Sequence, residues 1–274
     1  SNGVEMPILG YGVYQVNPTE TERCVSDALS VGYKLIDTAQ AYQNEEGVGA
    51  AIAKSGIDRK ELFIVTKVWI SNFGYEKTKK SIDESLRRLG TDYIDLMLLH
   101  QPVGDTYGAW RALEEYYKAG KLRAIGVSNF GPDRLVDIAL HSEIAPMVNQ
   151  VETHVFNQQT EAMKWMDKYK CRIMSWGPFA EGRNGLFTNP ILTAIGERYG
   201  KSTAQVALRY LIQRGVIVIP KSTHKERMEQ NFDVFGFTLS EADMDAIAGL
   251  DQIRSQFFSH YDPQTIEYLS SFSI

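Results

Sequence analysis

Cysteine is almost absent from this chain. Only Cys24 and Cys171 occur among 274 residues, far apart and in no CxxC spacing. Two such thiols supply neither a disulfide framework nor a zinc site, and they suit a reducing compartment, so the expected location is the cytosol. Histidine is also sparse. Of the five, His141, His154, His224 and His260 show no metal-ligand spacing, and no metal is expected. Positive charge is not in excess: 29 Lys and Arg against 34 Asp and Glu leave a net charge of −5. Without a basic face, nucleic acid and anionic membrane surfaces are poor partners. Long apolar runs are missing too, which excludes a bilayer-spanning helix. The opening SNGVEMPILG lacks the charged-then-apolar layout of a signal peptide. No Gly-, Pro- or Ser-rich linker interrupts the chain, so residues 1–274 read as one domain, with a monomer as the default state.

What is present is alternation. Short apolar runs occur at residues 34–39, 62–67, 93–100, 123–129, 147–152, 172–177 and 216–222, with a weaker one, LGYGVYQ, at 9–15. Helix-like stretches such as KTKKSIDESLRRLG lie between them, several ending on a glycine (Gly90, Gly120, Gly215) where a helix C-cap favours it. Continuous apolar runs alternating with helices read as parallel strands buried on both faces. Eight such units in about 250 residues predict an α/β fold of the (β/α)8 TIM-barrel type, with the active site at the C-terminal ends of the strands. An open doubly wound sheet is the alternative. It would carry G-x-G-x-x-G after its first strand, whereas Gly10 and Gly12 lack the third glycine.

Each run ends on a polar or functional residue: Asp37, Lys67, His100, Ser128 with Asn129, Gln150, Trp176, and Lys221 with Ser222. The stretch KLIDTAQAY raises the sharpest question, because an aspartate ending a buried strand is costly unless paired. Taken singly, each of these residues also reads as a helix cap or a solvated strand end. Gathered at one barrel mouth, Asp37, Tyr42, Lys67 and His100 form a catalytic constellation in which Lys67 is the cation for Asp37.

Those segments carry a resemblance. GYKLIDTAQAYQNEEGVG, IVTKVW, YIDLMLLHQP, IGVSNF, NQVE and IPKSTHKERMEQN, in that order, resemble the aldo-keto reductase superfamily, and most closely its small prokaryotic members related to 2,5-diketo-gluconate reductase. The resemblance implies an NADPH-dependent oxidoreductase that reduces aldehydes and ketones to alcohols by hydride transfer. Tyr42 would be the general acid, Lys67 would lower the tyrosine pKa from its ordinary value of about 10, and Asp37 would hold the lysine. His100 would donate a hydrogen bond to the substrate oxygen.

The cofactor segments are read in the same way. Lys221, Ser222, Thr223 and Arg227, at a strand end entering a helix, make an anion site, which the resemblance assigns to the 2′-phosphate of NADP(H). It places Gln230 and Asn231 near the adenine, Ser128, Asn129 and Gln150 on the nicotinamide carboxamide, and Trp176 under the nicotinamide ring. The stretch FAEGRNG (179–185) is expected to be a loop over the pyrophosphate. Tyr14 and Trp69 are expected to wall the substrate pocket, with Phe257, Phe258 and Tyr261 closing it from the tail; ordinary packing of a tail on a barrel is the alternative. The family usually has Trp after the active-site histidine, and Gln101 stands there instead, which widens or polarises the pocket. Two other readings remain: a cofactor-sensing regulatory protein on the same fold, and a lyase forming a Schiff base on Lys67.

Overall fold

The computed structural model of the protein describes residues 2–274. Eight strands follow one another: β1 (Tyr11–Gly12), β2 (Leu35–Asp37), β3 (Phe63–Val68), β4 (Ile94–Leu99), β5 (Leu122–Ser128), β6 (Val148–Glu152), β7 (Arg172–Trp176) and β8 (Ile217–Val218). Each pairs in parallel with the next, in the order β1 to β8. A parallel bridge between Leu9 and Val218 joins the last strand to the first. That closure, which leaves no sheet edge, selects the barrel over the open doubly wound sheet.

Helices return the chain between strands: α1 (Pro18–Val31), α2 (Glu45–Lys54), α3 (Tyr75–Leu89), α4 (Thr106–Lys118), α5 (Pro132–Leu140) and α6 (Thr160–Lys168). Two helices, α7 (Pro190–Tyr199) and α8 (Thr203–Gln213), precede β8, and α9 (Lys225–Phe232), α10 (Glu241–Ala248) and α11 (Pro263–Ser270) follow it. Gly90 caps α3 in the left-handed conformation at φ 63°, as its position at the end of RRLG predicts. The expected strand at 216–222 is cut to two residues. Pro220 has no N–H to continue the ladder, although its carbonyl still accepts from Gly12 N at 3.3 Å.

The alternation within β3 shows how the barrel aims its side chains. Thr66 points outward, where its hydroxyl donates to Glu45 of α2 at 2.6 Å, and Lys67 points inward and is wholly buried. Near the start of β4, Asp95 is also wholly buried. It accepts from Ile64 N at 2.9 Å and lies 2.7 Å from Arg59 and 2.6 Å from Arg123. That triad ties strands together at the N-terminal end of the barrel, away from the strand ends that carry Asp37, Lys67 and His100. Among the described residues, no helix is long and apolar enough to cross a membrane, and no group of three or more His, Cys, Asp or Glu is placed to hold a metal ion.

Candidate active site

Asp37, 2 % exposed, ends β2 beside the penultimate residue of β3. Its Oδ1 lies 2.6 Å from Lys67 Nζ, and its Oδ2 accepts from Gln150 Nε2 at 2.7 Å. Lys67 Nζ also donates to the carbonyl of Thr38 at 2.8 Å. The carboxylate that burial should penalise is therefore compensated by an ammonium and an amide. Burial pushes the Asp37 carboxyl up and the Lys67 ammonium down, while their mutual contact pulls each back towards its charged form.

Tyr42 sits on a short turn after β2, with its hydroxyl 3.4 Å from Lys67 Nζ. Its pKa departs from the sequence-based expectation. The phenol is pushed well above its ordinary value, first by burial, then by the charge of Asp37 and by Tyr14. Lys67 does not reverse this, because Asp37, less than 3 Å from it, has already absorbed most of its field. Tyr42 is thus held as a neutral acid. His100, following β4, packs edge-on against Tyr42 at 5.7 Å and Trp69 at 5.0 Å between ring centroids. Burial, with the nearby Lys67 charge, holds its imidazole well below its usual pKa and so neutral.

Tyr42, His100 and Asp37 line one cavity of about 710 Å³ at the C-terminal strand ends, together with Tyr14, Trp69 and Gln101. Ser128, Asn129, Gln150, Trp176 and Lys221 line the same cavity. The first three and Trp176 are wired together. Ser128 Oγ donates to the Gln150 carbonyl at 2.8 Å, Asn129 Nδ2 donates to the His100 carbonyl at 3.0 Å, and Trp176 Nε1 donates to Asn129 Oδ1 at 2.8 Å. The rest of the cofactor set lies beyond β8. The Ser222 carbonyl accepts from Tyr11 at 2.5 Å, and its hydroxyl accepts from His224 N at 3.0 Å at the start of α9. Thr223 is half-buried, Arg227 and Gln230 are exposed on α9, and Asn231 is buried.

The tail follows the expectation only in part. Phe257 and Phe258 line the cavity against Trp176, Phe257 edge-on at 5.2 Å and Phe258 stacked at 6.2 Å. Tyr261 does not line it and is 80 % exposed; the ring points outward where the chain turns into α11. Tyr268 and Leu269 of α11 take that place in the wall. The 179–185 stretch is a loop, as expected: Glu181–Gly185 have non-helical backbone angles and separate two short turns within Ala180–Thr188, and Arg183 Nη1 ties the loop to the tail by donating to the Gln256 carbonyl at 2.6 Å. Phe179, Glu181 and Phe187 of this stretch face the cavity.

Reasoning from sequence missed Glu152, which ends β6 as Asp37 ends β2. Its carboxylate accepts from His154 Nε2 at 2.9 Å, Gln256 N at 2.8 Å and Ser255 Oγ at 2.5 Å. A carboxylate closing a buried strand was the available signal. The partnership of Gln101 with His260 at 2.7 Å carried no signal at all, since 159 residues separate the two.

The aldo/keto reductase family description matches residues 8–252. The chain belongs to the aldo/keto reductase family. Glyoxal reductase of Bacillus subtilis is 47 % identical over 253 residues, which are 92 % of this chain and 91 % of that protein. Among solved structures, an aldo-keto reductase from a Medee basin deep-sea metagenome library superposes with a TM-score of 0.92 at 41 % identity, covering 95 % of this chain and 97 % of that one. A Bombyx mori aldo-keto reductase in complex with NADP superposes with a TM-score of 0.87 at 34 % identity, covering 92 % of each chain. As a member of this family, the chain is an oxidoreductase acting on carbonyl compounds. The family match ends at residue 252, so this aldo/keto reductase carries the wall formed by Phe257, Phe258, Tyr268 and Leu269 on a segment beyond it.

Proposed function

We propose that this aldo/keto reductase reduces aldehydes and ketones with NADPH, and that Tyr42 delivers the proton. The observation that carries the reading is the buried row Asp37–Lys67–Tyr42 opening beside His100 onto one cavity. Bound NADPH would supply the hydride. Ser128, Asn129, Gln150 and Trp176 would hold its nicotinamide end, and Lys221, Ser222, Thr223 and Arg227 its 2′-phosphate, with Gln230 and Asn231 at the adenine. This donor set suits the group: a flat indole held by Asn129, and Lys221 in the link between β8 and the start of α9.

The protein's own residues then act on the carbonyl oxygen. Neutral His100 orients it through a ring N–H, and Tyr42 gives its proton as negative charge develops there. Lys67, its charge largely cancelled by Asp37, would still donate a hydrogen bond across 3.4 Å to the tyrosinate so formed, an anion that burial alone would make costly. Lys67 is unsuited to Schiff-base formation, because its ammonium is engaged by Asp37 Oδ1 and the Thr38 carbonyl. The cofactor-sensing alternative is not favoured by relatives named as reductases. The reading extends to one domain over 1–274, and to a monomer in the cytosol, in keeping with two buried, unpaired cysteines.

Tyr42→Phe is the test. NADPH-dependent reduction of methylglyoxal should fall by about 10²–10⁴-fold in kcat/KM, while NADPH binding, followed by tryptophan quenching, stays nearly unchanged. Retained turnover would remove Tyr42 as the acid.

A further inference from the structure

The cavity's walls bear on which carbonyl compounds enter, an inference that rests on the reductase reading above. Its sides are aromatic: Tyr14 and Trp69 on one side, Trp176, Phe257 and Phe258 on another, and Tyr268 from α11 across the mouth. Among the described residues, Lys221 is the one lysine or arginine that lines it, three residues beyond β8, where the proposed nucleotide phosphate lies. Lys67 lies behind the lining, with its ammonium already engaged by Asp37 and Thr38. Two carboxylates, Asp37 and Glu181, line the cavity.

Neither His100 nor His260 adds positive charge. Burial keeps His100 neutral, and it holds His260 down to about 4. Gln101, paired with His260, supplies an uncharged polar edge beside His100. A substrate carboxylate brought to this floor would lose water and gain no cation, a loss that aromatic faces cannot offset.

We infer that the pocket selects uncharged carbonyl compounds with an aromatic or apolar body and discriminates against those carrying a carboxylate. A sugar acid and a simple aromatic aldehyde both present a reducible carbonyl; the walls favour the second.

A matched pair tests this. Methyl 4-formylbenzoate and 4-carboxybenzaldehyde share the ring and the aldehyde and differ in one charge at pH 7. With NADPH and the full chain, the ester should have at least a tenfold higher kcat/KM, mostly through KM. Tyr268→Arg, at a position 64 % exposed, places a cation at the mouth and should narrow that ratio several-fold. The ester's electronic effect on the aldehyde is the same in both proteins, so the narrowing isolates the wall's charge. Equal efficiency in the wild type, or a ratio that Tyr268→Arg leaves unmoved, would overturn the inference. If neither aldehyde oxidises NADPH, the reductase reading fails. The selectivity is then read from dissociation constants obtained by quenching of Trp69 and Trp176, where the same tenfold preference is expected and parity overturns it.

Discussion

Tyr42 and Lys67 are 3.4 Å apart, yet the lysine does not make the tyrosine acidic. The deciding comparison is between two neighbours of one ammonium. Asp37 lies 2.6 Å from it in a contact closed to water, so the phenol meets a nearly neutral pair, and burial then dominates. A pKa raised in the folded protein keeps the group protonated until the pH approaches that raised value. His100, with its pKa lowered, stays neutral above the usual imidazole range. The kcat for carbonyl reduction should therefore run flat from about pH 6 to about pH 9, with neither an imidazole nor a depressed tyrosine titration. An inflection near pH 8 in that profile would restore the lysine-lowered phenol. The residue types and their partnership were legible in KLIDTAQAY and IVTKVW. The direction of the phenol's shift was not, because it depends on a distance between side chains on different strands.

Among the elements, the tail is the one whose placement the chain's local pattern least explains. It hangs on Glu152. Although burial pushes that carboxyl up, the bonds from His154, Gln256 N and Ser255 outweigh it and hold it below the usual range. Ser255 Oγ in turn accepts from Phe257 N at 3.0 Å and Phe258 N at 3.1 Å, so one carboxylate sets where both rings meet Trp176. Glu152→Ala should raise KM for an aromatic aldehyde by about tenfold, as a buried hydrogen-bonded anchor lost without replacement implies, and change kcat and NADPH affinity far less. Glu152→Gln should recover part of the loss, since its amide oxygen still accepts from His154 and Gln256 N. A lowered melting temperature with KM unmoved in both variants would make Glu152 a stability residue only. Strands were readable from their apolar runs because burial on both faces demands them. Phe257 and Phe258 were readable as pocket candidates from family likeness, whereas the substitution of Tyr268 and Leu269 for Tyr261 followed from the docking of the chain after α11 on Trp69, whose Nε1 donates to the Phe272 carbonyl at 2.9 Å.

At the scale of the whole molecule, the barrel separates a stability end from a working end. Asp95, held by Arg59, Arg123 and Ile64 N, belongs to the first. Asp95→Asn should cost about 3 kcal/mol, because it leaves two guanidinium groups without their buried partner. Urea unfolding measures this, and turnover per folded molecule should be unaltered; loss of turnover with an unchanged unfolding midpoint would contradict the separation. Composition and periodicity by themselves determined the parallel barrel, the order of its strands and the polar residues at their ends, because burial on two faces and chain connectivity permit few other arrangements. Only the tertiary structure decided which of those residues neutralise one another, which tail residues wall the cavity, and that, among the described residues, Lys221 is the one lysine or arginine lining it. Those properties depend on distances of a few ångströms between groups far apart along the chain, and burial magnifies every one of them by removing the water that would otherwise screen it.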